Sequence, residues 1–365
     1  MMKNRKFSLI SVTMTIAIFL VSGFSWALEV RENYNGARML GMGGAGIAVV
    51  NDETALLVNP AGLGKLRDIY GTIIDPEVEG GINLNAMYKA NAFSDPFDLE
   101  QVKDTTDASR ESYYHFRAQA FPSFVVKNFG IGIYGKKLMD AQMNATGAEM
   151  TTFYQDDLSL LLGVNLRFFD GRIKIGATAK AIARIEINKD IDPTSSLSLD
   201  TNASEGVGIG YDVGIILAAP IVWIPTISAV IRDMGGTQFT AGSGVRMKSQ
   251  TGTPPTAIDQ DMDVALAVFP IHGNRTRSSF TLEYQKIREA GLAVDKTRYY
   301  HVGYEFNYAD LLFVRAGMNQ RYWTGGLELA SVHTQIQLAS YGEDVGTDGS
   351  PVEDRRYVFK FAIRF

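Results

Sequence analysis

The chain has 365 residues, 46% apolar and 21% charged, with a mean hydropathy of −0.02 and a formal net charge of −5. That mix is too apolar for a disordered chain and too evenly polar for a bundle of membrane helices, and its acidic balance gives no electrostatic basis for binding nucleic acid. The absence of cysteine excludes disulfides, thiolate metal sites, cysteine nucleophiles and a lipoprotein anchor, while 36 glycines and 11% aromatics suit many strands joined by tight turns.

The first 27 residues have three zones: a basic start (Lys3, Arg5, Lys6), an apolar run from Phe7 to Val21, and a small-residue exit at Ser25-Trp26-Ala27. This pattern predicts a secretory signal peptide over 1–27, cleaved to leave a mature chain that begins at Leu28. Without Lys3, Arg5 and Lys6, the 35 basic residues fall to 32 against 40 acidic ones, a net −8. A second uncharged stretch, Ile215 to Ile231, contains Pro220 and Pro225, each of which would break a helix. Two strands around a proline turn are expected there.

After a glycine-rich N-terminal segment, the dominant pattern is alternation. From Arg172 to Ile187 every odd position is apolar, and the even positions are small or polar except Ile182. Sixteen alternating residues form a strand with one apolar face, longer than the ~5–6 residues of a typical globular strand and long enough for the ~9–11 that a tilted membrane strand requires. Leu158 to Phe168, Val207 to Leu217 and Tyr357 to Phe365 repeat the pattern. Turn signals place strands at 81–90, 113–126, 129–139, 153–168, 172–187, 205–219, 221–232, 261–270, 278–288, 297–308, 311–319, 322–330, 332–341 and 355–365. Short connections such as Lys127-Asn128 and Phe169-Asp170-Gly171 alternate with long polar ones at 91–112, 140–152, 188–204, 233–260 and 342–354, and the tight connection near Asn319 fits least well. The expected fold is therefore an all-β, 14-stranded antiparallel transmembrane barrel with short turns at the periplasmic end. A secreted soluble sandwich is the rival, but it would use shorter strands.

Ahead of the strands, Gly41, Gly43 and Gly46 match G-x-G-x-x-G, with Asp68 about twenty residues on. A dinucleotide site also needs a preceding strand and a following crossover helix; this segment has neither, so no cofactor is expected. The glycines suit close backbone packing instead, with Asn51 or Asp52 capping a short helix that Pro60 ends. Three blocks here, Gly36-Ala37-Arg38-Met39-Leu40-Gly41-Met42-Gly43-Gly44-Ala45, Asn51-Asp52-Glu53-Thr54-Ala55 and Asn59-Pro60-Ala61-Gly62-Leu63, resemble the FadL/TodX family of outer-membrane transporters for hydrophobic compounds, including its smaller PorV-like relatives. The resemblance implies a fourteen-stranded barrel plugged by an N-terminal hatch (28–66, with the barrel over 67–365). It also implies uptake of long-chain fatty acids or aromatic hydrocarbons through the lumen and a lateral opening. Hatch residues would be Gly41, Gly43, Gly44, Gly46, Asn59, Pro60, Ala61 and Gly62. The alternating end, Tyr357, Phe359, Phe361, Ile363 and Phe365, resembles the signal read by the barrel-assembly machinery.

Catalytic chemistry is not indicated. His115, His272, His301 and His333 fall on different strands or turns without metal-site spacing, and no nucleophile elbow surrounds any serine, so neither an enzyme nor a metal site is expected. Arg172, Lys174, Lys180 and Arg184 share the expected lumenal face and are candidates to attract a carboxylate, against the simpler reading that they pair with acids such as Glu186. The expected protein is a monomeric channel in the outer membrane, in contact with its lipid and lipopolysaccharide, that passes hydrophobic small molecules. The alternative is a barrel that docks an envelope or secretion partner without transporting a solute.

Overall fold

The computed structural model describes residues 29–83, 89, 94–242, 244–347 and 349–365. The expected signal peptide and much of the expected 81–90 strand lie outside the described residues.

Fourteen antiparallel strands close into one barrel. The first two are each broken: β1 runs Tyr70–Ile74 and Glu77–Gly81, and β2 runs Tyr114–Ala120 and Ser123–Val126. Then come β3 (Phe129–Met143), β4 (Met150–Phe168), β5 (Ile173–Ile191), β6 (Ser204–Ala218) and β7 (Thr226–Arg232 and Phe239–Ala241). They are followed by β8 (Asp261–Val268, with a short Ile271–Gly273 piece), β9 (Thr276–Tyr284), β10 (Tyr300–Tyr308), β11 (Leu312–Asn319), β12 (Tyr322–Ala330), β13 (Thr334–Asp344) and β14 (Glu353–Arg364). The last strand pairs with β13 and with both pieces of β1, from Arg356 opposite Gly81 down to Arg364 opposite Thr72, which closes the sheet.

Alternation becomes facing. On β4, Leu158, Leu160, Leu162, Val164 and Leu166 point outward and are exposed, while Ser159, Leu161 and Asn165 are buried. On β5 the even positions from Lys174 to Glu186 are all buried inside. A closed sheet satisfies every backbone group at membrane depth, and an outward apolar face matches hydrocarbon. β4 and β5 have 19 residues each, about 60 Å of strand at ~3.3 Å per residue, whereas β9 to β12 have eight or nine.

The first strand is a correction: it starts at Tyr70, not residue 81. Proline hides it, because Pro76 lacks an N–H and interrupts the ladder. The break is knitted locally. The Asp75 carboxylate accepts the Phe121 N–H at 2.5 Å, and the Pro76 carbonyl accepts the Phe361 N–H at 3.1 Å. Pro122 breaks β2 similarly, its carbonyl accepting the Ile133 N–H at 2.9 Å. The expected 221–232 strand begins only at Thr226, since the turn bounded by Pro220 and Pro225 holds Trp223 and Ile224 at positive φ. Long connections gather at one end of the barrel and short ones at the other. Gln320-Arg321 departs most, a two-residue turn at the long-loop end where the sequence pattern fits least well, and 144–149 at that end is no longer than 219–225 at the other.

Candidate functional site: a segment seated in the lumen

Residues 36–66 are almost entirely buried. Two short helices, α1 (Ala37–Gly41) and α2 (Ala55–Val58), and a 3-10 turn (Pro60–Lys65) are too short to be stable alone, so their order comes from the surrounding wall. Local chemistry sets their ends. Asn59 caps the 3-10 turn, its Oδ1 accepting the Ala61 N–H at 3.0 Å, and Pro60 occupies the first position, where a missing N–H costs nothing. Asp52 accepts from the Thr54 N–H and hydroxyl at 3.0 and 2.5 Å ahead of α2.

Two facing stretches of wall receive the segment. On β5 and β6 the paired Gly176 and Gly214 leave room for the Asn-Pro-Ala backbone: a Cβ on Gly176 would lie 2.2 Å from the Pro60 carbonyl carbon, and one on Gly214 would lie 2.0 Å from Asn59 Oδ1. Across the lumen, the paired Gly303 and Gly317 of β10 and β11 accept the Met42-Gly43 backbone. Gly43 itself has φ +70° and would meet the Val302 carbonyl at 2.4 Å if it carried a Cβ, so both its conformation and its seat demand glycine.

Wall side chains satisfy the segment's backbone, as buried polar groups require. Asn59 Nδ2 donates to the Ile47 carbonyl and to Ser228 Oγ, each at 2.8 Å. The Glu283 carboxylate accepts the Gly46 and Ile47 N–H groups at 2.8 and 3.1 Å. Gln285 and Thr324 donate to the Gly44 and Gly41 carbonyls, and His301 Nδ1 lies 2.8 Å from the Gly43 carbonyl. Arg38 forms a fork onto Glu305 at 3.0 and 2.9 Å and also reaches Asp52 at 2.9 Å. Burial works against the Asp52 carboxylate, but Arg38, Arg364 and the Thr54 donors outweigh it and hold its pKa down at about 2. Lys65 is the opposite case. Its ammonium donates to the Ala48 carbonyl at 2.6 Å, and burial, reinforced by Lys174 and Arg38, pushes its pKa down to about 7.

Space is distributed unevenly around the segment. Towards the long-loop end lies a vestibule of about 400 Å³ lined by charged groups, among them Arg31, Glu32, Arg184, Glu186, Arg232 and Lys286. Beside the segment the gaps are water-sized: about 20 Å³ against Met39, Met42, Val58 and Lys360, and about 10 Å³ against His301 and Glu343.

The sequence candidates fall into three groups. Gly41, Gly43, Gly44, Gly46, Asn59, Pro60, Ala61 and Gly62 are all buried within the seated segment. Lys180 and Arg184 face the lumen and are paired, Lys180 with Asp212 and Asp233 at 2.8 and 3.0 Å, Arg184 with Asp157 at 2.8 Å and Glu186 at 3.6 Å. Lys174 is buried and donates to the Gly171 carbonyl. Arg172 is a correction: it is exposed, because the turn through Phe169–Gly171 leaves it in helical conformation outside the strand, where alternation no longer governs direction. Tyr357, Phe359 and Phe365 face outward and are exposed, with Phe361 and Ile363 part-buried.

Sequence reasoning missed Gly214, Ser228, Glu283, Gly303 and Gly317. A signal existed for the glycines, since glycine on the inward face of a strand marks close backbone approach. Glu29, His115 and Asp140 bring ligand atoms within 4.8 Å of one another, but they are bonded elsewhere: His115 to Asp140 and Glu79 at 2.6 and 2.8 Å, Glu29 to Arg356 at 2.8 Å, and Asp140 to Arg31 at 3.2 Å. This is an ion-pair network, with arginines occupying the positions a cation would take.

No protein-family model and no curated protein matches the sequence. Solved structures do resemble it. The CymD monoaromatic hydrocarbon channel aligns at 10% identity over 90% of this chain and 96% of that one, with a TM-score of 0.55. The Ralstonia pickettii toluene transporter TbuX aligns at 12% identity over 91% and 98%, with a TM-score of 0.53. The Pseudomonas putida toluene transporter TodX aligns at 12% identity over 93% and 98%, with a TM-score of 0.51. At such identities the likeness is one of fold: the chain shares the barrel fold of these three channels.

Proposed function

We propose that the chain is an outer-membrane channel for passive uptake of small hydrophobic molecules, of the long-chain fatty acid or aromatic hydrocarbon class. In this reading residues 1–27 direct export, 28–66 form a hatch, and 67–365 form the barrel. The observation that carries it is the pairing of a closed lumen, with water-sized gaps, and a compact segment seated on glycine floors. The segment can leave without breaking any strand pairing of the wall. Its apolar side chains Met39, Met42, Val49, Val50 and Val58 border the gap that displacement would widen. A hydrocarbon entering that space from water gains ~0.8 kcal/mol per buried CH₂, which gives it a binding site between the two ends of the lumen. The fold shared with known hydrocarbon channels supports the same reading.

The test is uptake of toluene and of a long-chain fatty acid into vesicles carrying the purified protein. Rates should exceed those of protein-free vesicles. They should fall to that background when Asn59→Cys and Ser228→Cys are joined by a short thiol cross-linker in this otherwise cysteine-free chain. Background rates in the uncross-linked wild-type protein would reject the proposal. The charged vestibule favours a second reading, a barrel that docks an envelope partner without passing a solute; co-purification of such a partner from envelopes, with no uptake, would select it.

A further inference from the structure

The short-turn rim combines two features that the transport reading does not use. The first is the tip Ile221-Val222-Trp223-Ile224. All four residues are exposed, Val222 at 79% and Trp223 at 59%. The tip is also held stiffly: Ala219 N–H donates to the Pro225 carbonyl at 2.9 Å, Ile224 N–H to the Ile221 carbonyl at 3.0 Å, and Phe269 N–H of the next turn to the Trp223 carbonyl at 2.7 Å. Trp223 and Ile224 sit at φ 67° and 47°, a costly conformation for a bulky and a β-branched side chain. A strained, braced turn that displays four apolar side chains needs a favourable environment for them. The tip continues the outward apolar faces of β6 and β7, through Leu217 and Ile227, down to the rim.

The second feature is charge. Among the described residues, the exposed cations at this rim are Arg67, Lys127, Arg167, Arg172, Arg275 and Arg277, against the acids Asp68, Asp170 and Asp310. Of those acids, Asp310 is already paired with Arg277 at 2.6 Å. The long connections at the other end carry the reverse balance, 13 acids against 9 bases.

We infer that this rim docks on the anionic phospholipid headgroups of the leaflet it faces, with Ile221–Ile224 inserted at the headgroup–acyl boundary and the unpaired cations around it binding lipid phosphates. Continuity with the hydrocarbon-covered face supplies the apolar part of the site, and charge complementarity selects an anionic headgroup. The inference rests on the membrane reading of the barrel but not on transport.

After removal of the leader the chain has two tryptophans, Trp223 at this rim and Trp323, 76% exposed, at the opposite end. In Trp323→Phe protein reconstituted into mixed vesicles, Trp223 fluorescence should be quenched by bromine-labelled lipid. It should be quenched more strongly when the label is on phosphatidylglycerol than on phosphatidylcholine. The set Lys127→Gln, Arg167→Gln, Arg172→Gln and Arg275→Gln should abolish that preference, each neutralised cation lowering it by up to roughly fivefold. Trp323 in Trp223→Phe protein should show no such preference. A Trp223 that stays unquenched and water-exposed, as a tip awaiting a soluble protein would, overturns the inference, and so does a preference unchanged by the four substitutions. Solute uptake measured on the same vesicles reads transport separately, so either proposal can fail while the other stands.

Discussion

Replacing Gly176 by alanine tests whether the seated segment is a movable part. The added Cβ would lie 2.2 Å from the Pro60 carbonyl carbon, 2.3 Å from its oxygen and 2.5 Å from the Ala61 nitrogen, where ordinary contact begins at 3.4 Å. All three neighbours are backbone, so no rotamer change relieves the clash, and the Asn-Pro-Ala stretch must back away by about 1.2 Å, the difference between 3.4 and 2.2 Å. Overpacking of this kind costs ~1–3 kcal/mol, and loosening the two Asn59 donations at 2.8 Å forfeits ~0.5–1.5 kcal/mol each. A total of about 2–6 kcal/mol shifts the docking equilibrium by roughly 30-fold at the low end and more than 10,000-fold at the high end. The strand itself does not suffer, since alanine is ~0.5–1 kcal/mol better than glycine inside regular structure. The expected outcome is a folded barrel, verified by heat-modifiable migration, with raised conductance in planar bilayers and faster hydrogen exchange over residues 41–64. Gly135→Ala, where the new Cβ meets nothing within 4 Å, is the control. Wild-type conductance and exchange in a folded Gly176→Ala barrel would refute the idea that this floor holds a gate.

Three further outcomes are expected. Asn59→Ala removes both donations, while Ser228 Oγ still donates to the Ile47 or Ile215 carbonyl; the loss of about 1–3 kcal/mol should appear in hydrogen exchange of residues 47–63 without a change in barrel migration. Lys65, with its docked pKa lowered to about 7 from 10.5, penalises docking fully below pH 7 and progressively less as pH rises towards 10.5; open-channel probability should therefore fall over that window, and Lys65→Met should flatten the dependence. Truncation of the terminal Phe365, which is exposed at the barrel end, should lower the fraction of chain recovered as heat-modifiable barrel in outer membranes while the export of the chain is unchanged.

How much could be read in advance differs by kind of information. Alternation along β4, β5 and β6 is a local property of consecutive residues, so the outward leucines and the inward Lys180 and Arg184 were legible. Strand β1 was not, because Asp75 and Pro76 read as a turn. Only the distant Phe121 N–H, which Asp75 accepts, and Phe361 N–H, which Pro76 accepts, show that the sheet continues across them. The inward lysine and arginine were visible, but their neutralisation by Asp212, Asp233 and Asp157 depends on register between strands that no single segment carries. The site divides in the same way. The glycine block and Asn59-Pro60-Ala61 form contiguous motifs, whereas the wall that receives them is assembled from single residues spread over more than a hundred positions, from Gly176 and Gly214 to Gly303 and Gly317.

The unequal strand lengths shape access from outside the cell. β4 and β5 rise 19 residues while β9 to β12 stop after eight or nine, and the bilayer needs only ~9–11 at a tilt. The wall is therefore a tall screen on one flank and a low sill on the other, and its rim slopes. On the proposed transport reading, a solute partitioned into the surrounding lipid meets the low flank first and has the shorter climb to the opening there. Under that reading the slope makes the surrounding lipid layer, more than the medium above it, the reservoir on which the lumen draws.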